Sequence, residues 1–116
     1  MSLSLERVQS LMLREIAVVV NKDRKIEDQM YFNITDVKIS RDYSFATIYY
    51  TILSDKEEDL IRAEEILTQI NKDVRKEVAQ KLKNIRRMPA LKFKFDESLA
   101  YGNKIDQIIE DLKNEQ

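Results

Sequence analysis

The chain has no cysteine, no histidine and no tryptophan, and it has one glycine, Gly102, and one proline, Pro89. Each scarcity removes a class of chemistry. Without cysteine there are no disulfides, thiolate metal sites or thiol nucleophiles, a composition that fits a reducing compartment. Without histidine the commonest general base and the commonest metal ligand are both missing, which excludes His-based triads and most zinc sites. A lone glycine cannot build a phosphate-cradling loop, because such loops need several glycines for backbone N–H groups to approach phosphate closely. Long hydrophobic runs are also missing. Residues 16–20 are far too few to span a bilayer and follow Arg14 and Glu15, and Met1-Ser2-Leu3-Ser4 does not start a signal peptide. The expectation is a cytoplasmic protein with no membrane role.

What remains is enough for a packed core. At 116 residues with 43% apolar content, the chain reads as a single domain over residues 1–116, with a flexible stretch at about 107–116. A domain of this size buries roughly two-thirds of the surface exposed by its unfolded chain. No internal repeat or low-complexity tract is present. The carboxylate pairs Glu57/Glu58, Glu64/Glu65 and Glu110/Asp111 are adjacent along helices, where consecutive side chains point about 100° apart, and read as solvated surface. No catalytic residue, metal site or cofactor is expected.

Charge is sorted along the chain. Residues 71–88 carry seven basic side chains (Lys72, Arg75, Lys76, Lys81, Lys83, Arg86, Arg87) against Asp73 and Glu77, while the net charge of the whole chain is −1. Residues 55–65 and 96–116 each carry six acids against two bases. A field polarised in this way draws a polyanion to one surface.

Periodicity orders the elements. Leu5, Val8, Leu11/Met12, Ile16 and Val19 recur at helical spacing behind Ser4, a suitable N-cap. Residues 31–53 are rich in aromatic and β-branched side chains and break at Ser40-Arg41-Asp42, which predicts two strands and a short turn. The apolar phase slips between Ile34 and Val37, the mark of a bulge. In the second strand Ala46, Ile48, Tyr50 and Ile52 share one face, and Phe45, Tyr49 and Leu53 share the other. The acidic residues before Leu60 suit a helix N-terminus, and Ala63, Leu67, Ile70, Val74, Val78, Leu82 and Ile85 predict a long helix stopped by Pro89. Leu91, Phe93 and Phe95 alternate with Lys92 and Lys94 in a third strand. Asp96 or Ser98 is placed to cap a last helix with a stripe of Ile105, Ile108, Ile109 and Leu112. The fold class is α+β, with three strands and the helices on one face.

On a helical wheel, Lys72, Lys76, Lys83 and Arg87 fall opposite the apolar stripe, Arg75 and Arg86 on a flank, and Lys81 on the apolar side, where its stem would snorkel. The four opposite cations would form a ridge of roughly 22 Å at the helical rise, long enough to track a phosphate backbone. An amphipathic helix has a charged outer face in any case, but a merely solvating face mixes both signs. Lys92 and Lys94 either extend the basic patch or shield the sheet from edge pairing. Phe45 and Tyr49 are the aromatics with a route to base stacking, although core packing is the expectation for both.

Three blocks carry a family resemblance: Arg14-Glu15-Ile16-Ala17; Ile34-Thr35-Asp36-Val37 with Ile39-Ser40-Arg41-Asp42, Ser44 and Ala46; and Pro89, Leu91, Phe93, Asp96, Ser98-Leu99, Gly102-Asn103 and Ile105. In order and spacing they resemble bacterial ribosome-binding factor A over nearly the whole chain. The resemblance implies a type II KH-like fold, α-β-β-α-α-β with a C-terminal helix. It also implies a monomer that binds 16S rRNA and the small ribosomal subunit during late assembly and rRNA processing, and no catalytic activity. The RNA-binding candidates are then Lys72, Arg75, Lys76, Lys83, Arg86, Arg87, Lys92 and Lys94. KH domains grip nucleic acid through a GXXG loop; the family resembles instead a helix–kink–helix around Ala-x-Gly. That position falls here on Asn71-Lys72-Asp73, with neither Ala nor Gly, and the apolar stripe runs through it in phase. The alternative to RNA binding is a protein-interaction module that uses a sheet edge or the acidic last helix.

Overall fold

The first helix, α1 (Leu5–Val20), begins where the Ser4 hydroxyl accepts the Arg7 N–H at 3.2 Å, satisfying an otherwise unpaired donor of the first turn. Its stripe of Val8, Met12, Ile16, Val19 and Val20 is buried, as the periodicity predicts. Asn21 ends it and stitches it to the sheet. The Asn21 amide donates to the carbonyls of Ala17 (2.9 Å) and Phe32 (2.7 Å), and its oxygen accepts the Phe32 N–H at 2.8 Å. The computed structural model describes residues 4–22, 30–85 and 87–97.

Strands β1 (Phe32–Ile39) and β2 (Phe45–Ile52) form an antiparallel hairpin, from Ile39 opposite Ala46 to Phe32 opposite Ile52. The register shifts between Ile34 and Asp36, so Thr35 is the extra residue of a bulge. The bulge keeps Val37 and Ile39 on the same buried side as Phe32 and Ile34; without it, a slip of one residue would turn them to solvent. The turn is built by side chains. Asp42 accepts the Ser44 N–H at 3.0 Å and the Ser40 hydroxyl at 2.9 Å, and the Ser40 oxygen accepts the Phe45 N–H at 3.0 Å. Tyr43 takes a left-handed φ of 61°, uncommon for a bulky residue, and its buried ring offsets that cost.

Helix α2 (Glu57–Lys81) places Glu57, Glu58 and Asp59 in its first turn, where they complement the helix dipole. It leads across to β3 (Ala90–Phe95), which pairs parallel to β2 from Phe45 opposite Ala90 to Tyr50 opposite Phe95. The sheet order is β1-β2-β3, with α1 and α2 packed together on one side. Between them lies a core that includes Met12, Ile16, Phe32, Val37, Ile48, Leu67 and Val78. The α+β class, the three strands and the one-sided helices are all present, in the order α-β-β-α-β.

One open point about α2 is answered and one expectation is corrected. The helix runs without interruption through Asn71, Lys72 and Asp73, so no second helix starts at the position where the resemblance puts a kink. It also stops earlier than the apolar stripe implies, at Lys81, with Leu82 at φ −104°, ψ 71° as its cap. Leu82 and Ile85 still pack on the core, but from a turn: the chain must reverse before Pro89 to bring β3 beside β2. The last helix expected after Asp96 lies outside the described residues. No helix among the described residues is long and apolar enough to cross a membrane.

Candidate nucleic-acid interface

The contacts of α2 settle how its basic residues are used. On one flank Asn71 donates to the Leu91 carbonyl at 3.0 Å, and Arg75 donates to the carbonyls of Pro89 (2.9 Å) and Met88 (2.6 Å). On the other flank Glu77 pairs with Lys22 at 2.6 Å, and Lys81 pairs with Glu15 of α1 at 3.5 Å. The hydrogen bond from Lys22 holds the Glu77 carboxyl below its ordinary range. Lys72 and Lys76, one turn apart, project to solvent between these flanks.

This arrangement revises the expected ridge. Lys83 and Arg87 are exposed, but they sit beyond the end of α2, in the turn and the strand approach, so the straight line of four cations on one helix does not exist. Arg75 works within the fold, tying the loop before β3 to the helix. Lys81 faces α1, as its place on the apolar side of the wheel implies, and it is neutralised there by Glu15. Arg86 lies outside the described residues. Lys72, Lys76, Lys83 and Arg87 enter no ion pair among the described residues.

Lys92 and Lys94 belong to a different surface. Leu91, Phe93 and Phe95 turn toward the helices, so the lysines between them project from the opposite, open face of the sheet. There Lys92 Nζ sits 4.2 Å from the centre of the Phe45 ring. Phe45 is 47% exposed, which overturns the expectation that it packs in the core. Tyr49, on the same face, is half-buried, beside a shallow hollow of about 370 Å³ lined also by Asp36, Lys38, Lys94 and Asp96. At its rim Lys38 is 3.6 Å from Asp36. The alternation in β2 marked these two aromatics as sharing a face; the side that the helices cover was the missing signal. No cluster of potential metal ligands occurs among the described residues.

A small α+β domain with exposed cations on its helical side, and a mixed aromatic and cationic sheet face behind, is the class these features define. The chain belongs to the ribosome-binding factor A family, whose model matches residues 4–109. It is 38% identical over 112 residues to the ribosome-binding factor A of Phytoplasma mali, covering 97% of this chain and 98% of that one. With the Macrococcus caseolyticus protein of the same name it shares 34% identity over 115 residues, 99% of each chain. Among solved structures, the crystal structure of ribosome-binding factor A from Thermus thermophilus superposes with a TM-score of 0.60 at 20% identity, over 79% of this chain and 96% of that one. A homology model of the Thermus thermophilus factor, fitted into a cryo-EM map of its complex with the 30S subunit, gives 0.55 at 18% identity, over 80% and 91%. These structural likenesses fix the fold.

Proposed function

We propose that the chain is a cytoplasmic ribosome-assembly factor that binds the small ribosomal subunit and its 16S rRNA during late maturation and rRNA processing. It acts as a monomer and as one domain, with no cofactor and no reaction of its own. The observation that carries this reading is the set of exposed cations on and after α2. Lys72, Lys76, Lys83 and Arg87 stay free of ion pairs among the described residues, while neighbouring Arg75 is bonded to the Pro89 carbonyl and Lys81 is paired with Glu15 at the surface. Cations held in solvent without a protein carboxylate are available to phosphate. Family membership supports the target, since the related Thermus thermophilus factor has been fitted on the 30S subunit.

Co-sedimentation with purified small subunits tests the assignment. The quadruple variant Lys72→Gln/Lys76→Gln/Lys83→Gln/Arg87→Gln should stay folded and lose most of its subunit association. Undiminished association would sink the proposal, and no affinity for rRNA fragments at low salt would favour a protein-interaction module.

A further inference from the structure

The face of the sheet turned away from the helices carries the residues that the core leaves over. Down the central strand it shows Phe45, Thr47 and Tyr49. By register Thr47 lies between Lys38 and Lys92, and Tyr49 between Asp36 and Lys94. Two rings four residues apart on a strand are separated by about 13 Å, room for two splayed bases. Phe45 already has one face covered by a cation, with Lys92 Nζ 4.2 Å from its centre, and is still 47% exposed.

We infer that this open sheet face binds single-stranded RNA. Bases stack on Phe45 and Tyr49, and Lys92 and Lys94, which enter no ion pair among the described residues, take the phosphates along β3. Rings on a rigid sheet with cations beside them are the two ingredients of sequence-tolerant single-strand binding. The hollow next to Tyr49 refines the picture. Its wall holds Asp36, Asp96 and Glu97 beside Lys38 and Lys94, so acids outnumber cations there and a base enters in place of a phosphate. Duplex RNA hides its base faces inside the helix, so it has nothing to stack on these rings. The inference deepens the RNA-binding reading above and depends on it only for the source of the strand.

The test is fluorescence anisotropy of the full chain with a short end-labelled single-stranded RNA of mixed sequence, and with the same sequence as a duplex, at one fixed salt concentration. The single strand should bind more tightly than the duplex. Phe45→Ala and Tyr49→Ala should each weaken single-strand binding by roughly 5- to 150-fold and leave duplex binding unchanged. Phe45→Tyr keeps a ring and should keep most of the affinity, which separates stacking from any disturbance of the fold. No single-strand binding, equal affinity for the duplex, or alanine variants that bind like the parent would each overturn the inference. Co-sedimentation with small subunits reads the other assignment separately. If the α2 variants lose the subunit and Phe45→Ala leaves oligonucleotide binding intact, this inference fails and the proposed function stands. The reverse pattern keeps the sheet face and removes the subunit.

Discussion

Arg75 holds Pro89 by its main chain: the guanidinium Nε lies 2.9 Å from the Pro89 carbonyl oxygen. The same side chain reaches the Met88 carbonyl at 2.6 Å, so one fork spans the point where the chain enters β3. Both carbonyls lie just before β3, outside its ladder, where a main-chain acceptor takes its donor from elsewhere. Arg75→Ala should therefore destabilise the fold by about 1–2 kcal/mol, read by urea denaturation. Arg75→Lys should recover less than half of that, because an ammonium cannot span two carbonyls as the planar fork does. Lys72→Gln, one turn earlier and in solvent, should shift stability by less than about 0.5 kcal/mol. A large loss for Lys72→Gln, or none for Arg75→Ala, would reverse the division of labour drawn for α2.

The exposed cations should appear in the salt dependence of RNA binding. If about four phosphates are neutralised, a plot of log affinity against log salt should slope at about −3 to −4. Lys72→Gln/Lys76→Gln should flatten it by about 1.4 to 1.8. A slope that the double variant leaves unchanged would show that these two lysines meet no phosphate.

Asp42 gives a pH dependence with a definite sign. Hydrogen bonds from the Ser44 side chain and amide, and from Ser40, lower its pKa from 3.8 to about 2. A carboxyl whose folded pKa lies below its unfolded one stabilises the fold above the unfolded value, and that contribution is lost as pH falls through the folded one. The turn should thus lose its stabilisation between about pH 4 and pH 2. Urea midpoints over this window should fall less steeply for Asp42→Asn than for the parent; parallel curves would count against the turn geometry.

Thr35 donates its hydroxyl to Asp96 at 2.5 Å, linking the bulge of β1 to the end of β3. Asp96 is 8% exposed, so each donor to it counts. Thr35→Val keeps the shape and removes the donor, and should cost about 1–3 kcal/mol in urea unfolding. The β-branched side chain should leave the hairpin register unchanged, checked by cross-strand NMR contacts between Ile34 and Tyr50.

Much of the fold is legible locally. Ser4 caps α1, the phase slip before Val37 marks the bulge, and the alternation from Leu91 to Phe95 gives β3 with its two unlike faces. These signals lie within a few residues of what they specify. The end of α2 was hidden because Leu82 and Ile85 keep the helical period while packing from a turn. The use of Arg75 was hidden because its acceptors, Met88 and Pro89, arrive only when the chain folds back. Phe45 escapes a local reading for a third reason. Both faces of β2 carry apolar side chains, and only the packing of α1 and α2 decides which is covered.

The parallel pairing of β3 with β2 has a consequence for synthesis. The β1–β2 hairpin closes over a short turn, from Ile39 opposite Ala46, whereas Phe45 must wait for Ala90 and Lys92 to be made and brought alongside β2. Contacts this distant in sequence form late, after the intervening chain has been closed into a loop. The aromatic and cationic sheet face therefore does not exist on a partly made chain. A nascent fragment can present a hairpin and a helix, but the surface shared by Phe45, Tyr49, Lys92 and Lys94 appears only when the last strand docks.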